Sequence, residues 1–544
     1  MDAKIAPAPQ SVPRATIVMT VRERHALTEA AIDSVVRNTR PPFRFIFAET
    51  QSPPWLSELL ARRQPEWGIE IAKFDAALWP NQIRKRIAPA IATDYVVFLD
   101  NDVSVEPGWL ERMIACADET GAGIVCPLYL IGDGASVTRI HMAGGRLQRS
   151  NGDNGIALTE AHHLMNADLA QAEPHLRREP CDFAEYHCML ISAKLASDGA
   201  IFDDRILCVH EHIDTALAAR KAGYGVYLEP SARVTYMGYA PFALGELDFF
   251  RTRWGPGAGE ASIKAFAQKW GVTDDAASFG DVRGFLESHR IEVDPLHPAP
   301  AQGAHRSEAM RRDELRQSLS GLFELAVARG YGQEEWNMLE RAYRLALIWV
   351  NGVYRPCGRP FINHLTGTAS VLVNYGFQAQ VACAGLLHAA YTHGALPGMD
   401  ARSAIAEMQK VLAGNPALEK LVRLYTLRAG RCKAILQSAA PQSQLTTEDA
   451  KIFAIEAANE ADMHLSGEFR FSGRRDLEPP ETFELMTYVC RTLGVPGLAQ
   501  TLLGEREKLS RIPGKPAAGY QGSLRVVDGR FTPASNDAAQ IISG

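Results

Sequence analysis

Tyr95-Val96-Val97-Phe98-Leu99-Asp100-Asn101-Asp102-Val103 is an apolar run that stops at two carboxylates with one residue between them. A strand buried on both faces reads as such a continuous run, and open α/β sheets bind ligands at the carboxyl ends of their strands. Asp100 and Asp102, two residues apart, share one side of an extended chain. Two hard oxygen ligands so placed could hold Mg²⁺ or Mn²⁺ and leave coordination positions for diphosphate oxygens. Two aspartates in three residues also occur in turns and helix caps, so the surrounding pattern has to decide.

Upstream, Ala15 to Val21 reads as a first strand, and Leu27 to Asn38 carries apolar residues at helical spacing. Phe43 to Ala48 makes a second strand ending at Glu49, and Ile69 to Ala72 a short third. Downstream, Pro107-Gly108-Trp109-Leu110 opens a helix and Ala122 to Leu130 supplies another strand. Strand, helix, strand repeated in this way predicts an α/β domain on a Rossmann-like, mostly parallel sheet. Further on come Phe183 to Ser192, then Ile201-Phe202-Asp203-Asp204, then Val209-His210-Glu211-His212-Ile213-Asp214, and a closing strand into Pro230. The stretch from Gly145 to Pro180, rich in His, Asn and Glu, reads as a mobile loop able to meet an acceptor.

Taken in order, Thr20-Val21-Arg22, the FLDNDV segment, Phe202-Asp203-Asp204, Glu211-His212-Ile213-Asp214 and Arg220-Lys221-Ala222-Gly223-Tyr224 resemble the signatures of family 2 glycosyltransferases, which have the GT-A fold. The resemblance covers about residues 15 to 255. It implies a nucleotide-sugar donor, a UDP-sugar first among them, and a Mn²⁺ or Mg²⁺ ion. It also implies sugar transfer, of the inverting kind, to a saccharide, glycolipid or protein acceptor in surface-glycan synthesis. Carried over residue by residue, Thr20, Val21, Arg22, Glu49, Arg84, Asp100 and Asn101 are the expected donor contacts. Asp100, Asp102 and His210 are the expected metal ligands, and Glu211, His212 and Asp214 the expected catalytic set. This sequence has Glu211-His212 where the family usually has Glu-Asp, so either Glu211 or His212 could be the base. It has Lys85 after Arg84 where an Asn is usual, and Tyr236 where many members place a metal-binding His.

The chemistry demands these residue types. Charge builds on the leaving nucleoside diphosphate, so a divalent cation and nearby cationic side chains are the needed stabilisers. Arg84, Lys85 and Arg86 could assist, or form a solvated helix face. The attacking acceptor hydroxyl must lose a proton to a group within hydrogen-bond reach, and Glu211 is the preferred candidate.

The chain has 544 residues, long enough for two or three domains. Its hydrophobic share of 46%, charged share of 22% and net charge of −6 describe an ordinary globular protein with no bulk attraction for nucleic acid. Nine scattered cysteines without a C-x-x-C pair suit reduced thiols and a cytoplasmic location, at most peripheral to the inner face of a membrane. No run is apolar and long enough to span a bilayer, and the polar, Pro-containing start is unlike a signal peptide.

Composition predicts a flexible start over 1–14, the α/β domain over 15–290, a Pro-rich linker over 291–305, an all-α domain over 306–511 and an irregular tail over 512–544. Asn351 to His364 and Ala384-Gly385-Leu386-Leu387-His388-Ala389 resemble HD-domain metal hydrolases over roughly 340 to 465. His364 and His388 match that pattern, Asn351 and Ala389 stand where a His and an Asp are expected, and Glu456, Asn459 and Glu460 lie near the place of the last ligand. Two histidines without the carboxylate make a poor hydrolytic site, so the resemblance implies a degenerate helical domain for binding, scaffolding or assembly, as a homo-oligomer or with a partner protein. The competing reading of the whole chain is a nucleotide-binding or assembly protein, or a phosphohydrolase centred on His364 and His388.

Overall fold

The computed structural model of the chain describes residues 12–21, 23–50, 52–132, 138–152, 154–238, 241–297, 307–438, 440–471, 479–511, 522–528 and 530–543. It divides into two compact units, Met1–Ala240 with Asp248–His289, and Pro241–Leu247 with Arg290–Gly544.

In the first unit the strands are β1 (Ala15–Thr20), β2 (Arg44–Thr50), β3 (Glu70–Phe74), β4 (Tyr95–Asp100), β5 (Val103–Val105), β6 (Ile124–Ile131), β7 (Arg139–Met142), β8 (Gly145–Gly152), β9 (Gly155–His162), β10 (Glu179–Cys181), β11 (Cys188–Ser192) and β12 (Val226–Tyr236). The main sheet runs β10-β12-β6-β11-β4-β1-β2-β3, with β5 on β12 and β7 on β6. β1 pairs in parallel with β2 and β4, and β2 with β3, the crossover half that the strand-helix alternation predicts. β11 then enters between β4 and β6, antiparallel to both, so the sheet is mixed where the apolar pattern alone reads mostly parallel. A strand buried on both faces gives the same continuous run in either direction, so periodicity carries no direction.

The centre of this sheet is dry. Ile17, Val18, Met19, Val96, Val97, Phe98, Leu99, Met189 and Leu190 are wholly buried, and Phe98 packs edge-on against Tyr186 and Phe202 at ring distances of 6.2 and 5.4 Å. Such packing fixes the height at which β4 ends, and with it the position of Asp100. The stretch from Gly145 is a paired hairpin, β8 with β9, rather than a loop. Gly145 seats it: a Cβ there would fall 2.4 Å from the Phe183 ring, so only glycine allows this approach.

The second unit is helix-rich. Thr447–Leu465, buried along almost its whole length, packs against Phe361–Asn374, Ala379–Leu387 and Pro496–Ser510. It is not all-α, however. Leu524–Val527 and Arg530–Pro533 form a hairpin that adds Val353–Tyr354 as a third strand, so the segment read as an irregular tail is partly ordered sheet. The overlooked signal in the sequence is Asp528-Gly529 between two β-prone runs, a dipeptide that favours hairpin turns, and Asp528 stands at φ 48°. At the expected linker, the helix Ala276–Val293 continues past residue 291 and Leu296 bridges Phe377, while 298–306 lie outside the described residues. Among the described residues no helix is long and apolar enough to cross a membrane.

His364 and His388 do meet, with ring centroids 5.3 Å apart. The carboxylate partner of His364 is Asp462, 2.6 Å from Nδ1, not Glu456, Asn459 or Glu460. Gly367 admits it, since a Cβ there would collide with Asp462 Oδ1 at 1.8 Å. The Arg359 guanidinium lies 2.6 Å from Asp462 Oδ2 and 3.1 Å from Glu468 Oε2, and Arg355 lies 2.6 Å from Glu468 Oε1, so two arginines of the chain neutralise these buried carboxylates.

Burial pushes His388 down to about 4, against a smaller upward pull from its Gly385 carbonyl partner and Glu456. The unfolded chain takes up this proton near pH 6.5 and the folded chain resists it. The stabilising contribution is therefore complete above pH 6.5 and declines as pH falls toward 4, by on the order of 3 kcal/mol. Thermal melts across that range should show a smaller acid loss for His388→Asn than for the parent; identical slopes would remove His388 as the cause.

Candidate active site

Asp100 is the last residue of β4 and wholly buried, with Thr20 Oγ1 of neighbouring β1 donating to its Oδ1 at 3.4 Å. Asn101 follows with its amide turned inward, donating to the Arg24 carbonyl at 3.3 Å and Thr28 Oγ1 at 3.0 Å. That clamp forces the alternation on which the motif depends, leaving Asp102 to face the same edge as Asp100. Asp102 Oδ1 is buried without a hydrogen-bond partner in the structure. Burial first, and the charge of Asp100 second, push its carboxyl up to about 6. Two buried carboxylates, one with an orphaned oxygen, fit a divalent cation, which would satisfy both.

The third residue at this position is His187, not His210. Its Nδ1 lies 3.4 Å from Asp100 Oδ2, and one ligand atom from each of Asp100, Asp102 and His187 falls within 4.8 Å of the others. His187 arrives because β11 is antiparallel, so the residues before its first strand position lie at the carboxyl edge of β4; the Asp100 amide donates to the His187 carbonyl at 3.2 Å. Tyr236 stacks on the His187 ring at 4.3 Å, held there by the pairing of Tyr236 with Val103. Tyr236 thus meets this cluster through the His187 ring.

Behind His187 the histidine and carboxylate groups continue. Glu185 Oε2 is 3.6 Å from His187 Nε2 and 2.9 Å from His141 Nε2, and its Oε1 is 3.4 Å from His162 Nε2. Burial pushes Glu185 up, but the charges of His162, His141 and His187 outweigh it and hold the carboxyl well below its usual range. Burial depresses His187 and the neighbouring carboxylates Glu185 and Asp100 raise it, with a net upward shift. Glu185, His187, His141 and His162 were not singled out from sequence. The available signal was Glu185-Tyr186-His187 directly before a buried strand.

The other expected residues divide. Thr20, Val21 and Glu49 do lie at the carboxyl ends of β1 and β2, and Arg22 lies outside the described residues. Glu49 is held by Ser57 Oγ and by Lys73 Nζ at 3.3 Å. Arg84 is wholly buried, with its guanidinium 3.2 Å from the centre of the Tyr186 ring and bonded to Asn81 at 3.0 Å, so it braces the core. Asn101 likewise spends its amide inside the protein.

Glu211 and His212 open the helix Glu211–Lys221, with Glu211 2% exposed. His210 caps that helix at φ 61°, a conformation that costs a non-glycine residue roughly 1 kcal/mol. Its ring lies between Phe266 at 4.9 Å and Phe279 at 5.0 Å, and burial pushes it down to about 4. It is a packed neutral histidine, outside the cluster around Asp100 and Asp102.

Asp214 is wholly buried and bound on every side: Lys269 Nζ lies 2.7 Å from Oδ1, and Trp270 Nε1 donates to Oδ1 at 2.8 Å. It ties helix Glu211–Lys221 to helix Pro256–Trp270, a structural duty for a residue expected in the catalytic set. Removing one partner of such a pair leaves the other uncompensated, and because Lys269 retains Asp203 at 3.4 Å the cost should sit near about 3 kcal/mol. Denaturant unfolding of Asp214→Ala measures it; full stability with lost activity would return Asp214 to the chemistry.

Residues 16–187 match the model of glycosyl transferase family 2. The α/β unit is thus similar to family 2 glycosyltransferases over those residues. Among solved structures, that of GalNAc-T7 with UDP, GalNAc and Mn²⁺ is similar over 52% of this chain and 55% of its own, at 13% identity and a TM-score of 0.34. This chain thus spans about half the length of that protein's. That of S. aureus TarS 1–349 in complex with UDP-GlcNAc is similar over 61% of this chain and 91% of its own, at 12% identity and a TM-score of 0.30. No curated protein matches the chain.

Proposed function

We propose that the chain transfers a sugar from a nucleoside diphosphate sugar, a UDP-sugar first among them, to a hydroxyl of a saccharide, glycolipid or protein acceptor, with inversion. The observation that carries this reading is the pair Asp100 and Asp102 at the carboxyl edge of the sheet, one carboxylate oxygen buried and orphaned, inside the stretch similar to family 2 glycosyltransferases. Bound there, Mn²⁺ or Mg²⁺ would offset the charge that develops on the leaving diphosphate. Thr20 orients Asp100, Asn101 holds the turn, and His187 with Tyr236 closes the far side of the carboxylates. Glu211, at the amino end of its helix, takes the acceptor proton, since a single displacement needs a base on the attacking hydroxyl.

The helix-rich unit has a cavity of about 420 Å³ lined by Arg355, His388, Tyr425, Arg428, Glu456 and Glu460, suited to positioning a polar acceptor or a partner. No disulfide joins the nine cysteines, which supports a reducing, cytoplasmic setting for surface-glycan synthesis. The test is release of nucleoside diphosphate from a panel of donor sugars, with Mn²⁺ and with EDTA. Release that requires the cation is expected; none from any donor, together with no nucleotide binding, would sink the reading.

A further inference from the structure

Glu160 and His162 sit two residues apart on β9 and so share one face of that strand, which is partly buried while Thr159 and Ala161 point to solvent. Opposite them, His212 is the second residue of helix Glu211–Lys221. One ligand atom from each of Glu160, His162 and His212 falls within 4.8 Å of the others. Glu160 Oε2 and His212 Nε2 face each other at 3.8 Å, too far for a hydrogen bond, and each is buried without a hydrogen-bond partner. An unmade contact of this kind is costly, and it occurs here between two good metal donors. Two ligands of one tetrahedral ion, each about 2 Å from it, stand about 3.4 Å apart, so a small closure of this gap would accommodate one.

We infer that Glu160, His162 and His212 form a second cation site, separate from Asp100 and Asp102 and suited to a first-row transition ion such as Zn²⁺. Two imidazoles with one carboxylate suit zinc and its first-row neighbours, whereas Mg²⁺ and Ca²⁺ prefer all-oxygen shells. Glu185, 3.4 Å from His162 Nε2, supplies the outer carboxylate that commonly orients a ligating histidine. The neighbouring group His141, Glu185 and His187 is less suited, because its carboxylate is already hydrogen-bonded to His141 at 2.9 Å. Three protein ligands leave a position for an oxygen ligand, a water or a substrate hydroxyl, and the residue before His212 is Glu211. The site stands whether or not the sugar-transfer reading holds.

The experiment titrates chelator-stripped full-length protein with Zn²⁺ alone, counts bound metal after dialysis, and records the visible bands of the Co²⁺ form. One ion per chain should bind without nucleotide, and the Co²⁺ bands should have the intensity of a four- or five-coordinate site. His162→Ala and His212→Ala should lose that ion, and Glu160→Gln, close to isosteric and so a safeguard against misfolding, should weaken it at least tenfold. Binding of UDP with Mn²⁺ should survive in Glu160→Gln, while Asp102→Asn should lose it and keep the zinc. Absence of zinc from the parent protein, or unchanged zinc in Glu160→Gln and His162→Ala, would overturn the assignment. So would zinc that disappears only in Asp102→Asn.

Discussion

Asp102→Asn should lower turnover by on the order of 10³-fold and abolish the gain in UDP affinity that Mn²⁺ confers on the parent, while leaving the fold intact. Asparagine keeps the size of the side chain but removes the charge, so the cation retains one carboxylate where it had two. Placing a divalent ion against a departing diphosphate is worth several kcal/mol, and each 1.4 kcal/mol is a factor of ten. The orphaned Oδ1 makes the substitution tolerable, because no internal hydrogen bond depends on it. Calorimetric titration with UDP, in Mn²⁺ and in EDTA, measures the coupling directly. Parent protein that binds UDP equally well in EDTA would show that these carboxylates do not bridge to nucleotide through an ion. Normal turnover in the variant would exclude them from the reaction altogether.

What the sequence made legible was the backbone of the site and the chemistry of its centre. The run from Tyr95 to Leu99 announced a buried strand, and the abrupt change at Asp100 marked its carboxyl mouth. Those are local facts, and a parallel crossover places local facts predictably. Direction of a buried strand is not local. Because β11 runs antiparallel, His187 and Glu185 come to the same edge from a segment 85 to 87 residues after Asp100, where nothing in periodicity marked them.

Other expected residues are engaged within the protein. His210, Asp214, Arg84 and Asn101 are polar residues beside real motifs, but each side chain is consumed by packing or bonding: His210 by two phenylalanines, Asp214 by Lys269 and Trp270, Arg84 by Tyr186, Asn101 by Arg24 and Thr28. A motif fixes where the backbone passes; which side chains remain available follows from the neighbours that fold onto it. The same holds at Asp462, whose pairing with His364 and Arg359 depends on a glycine in a different helix.

Glu211→Gln should lower kcat by about 10²-fold or more and leave the donor KM near its parent value, the scale expected when a general base is lost. The amide keeps the shape of the carboxylate at the first position of its helix, and only the capacity to accept a proton goes. Glu211 is preferred to His212 on geometry. His212 Nε2 is directed at Glu160, 3.8 Å away, and burial depresses that imidazole. Glu211 stands at the first position of its helix, beside His212, and supplies the carboxylate of the pair. Steady-state kinetics with saturating donor and acceptor separate the two residues. A tenfold or smaller fall in kcat for Glu211→Gln would take the base away from Glu211. An unchanged kcat with a raised donor KM would make the residue a binding contact instead.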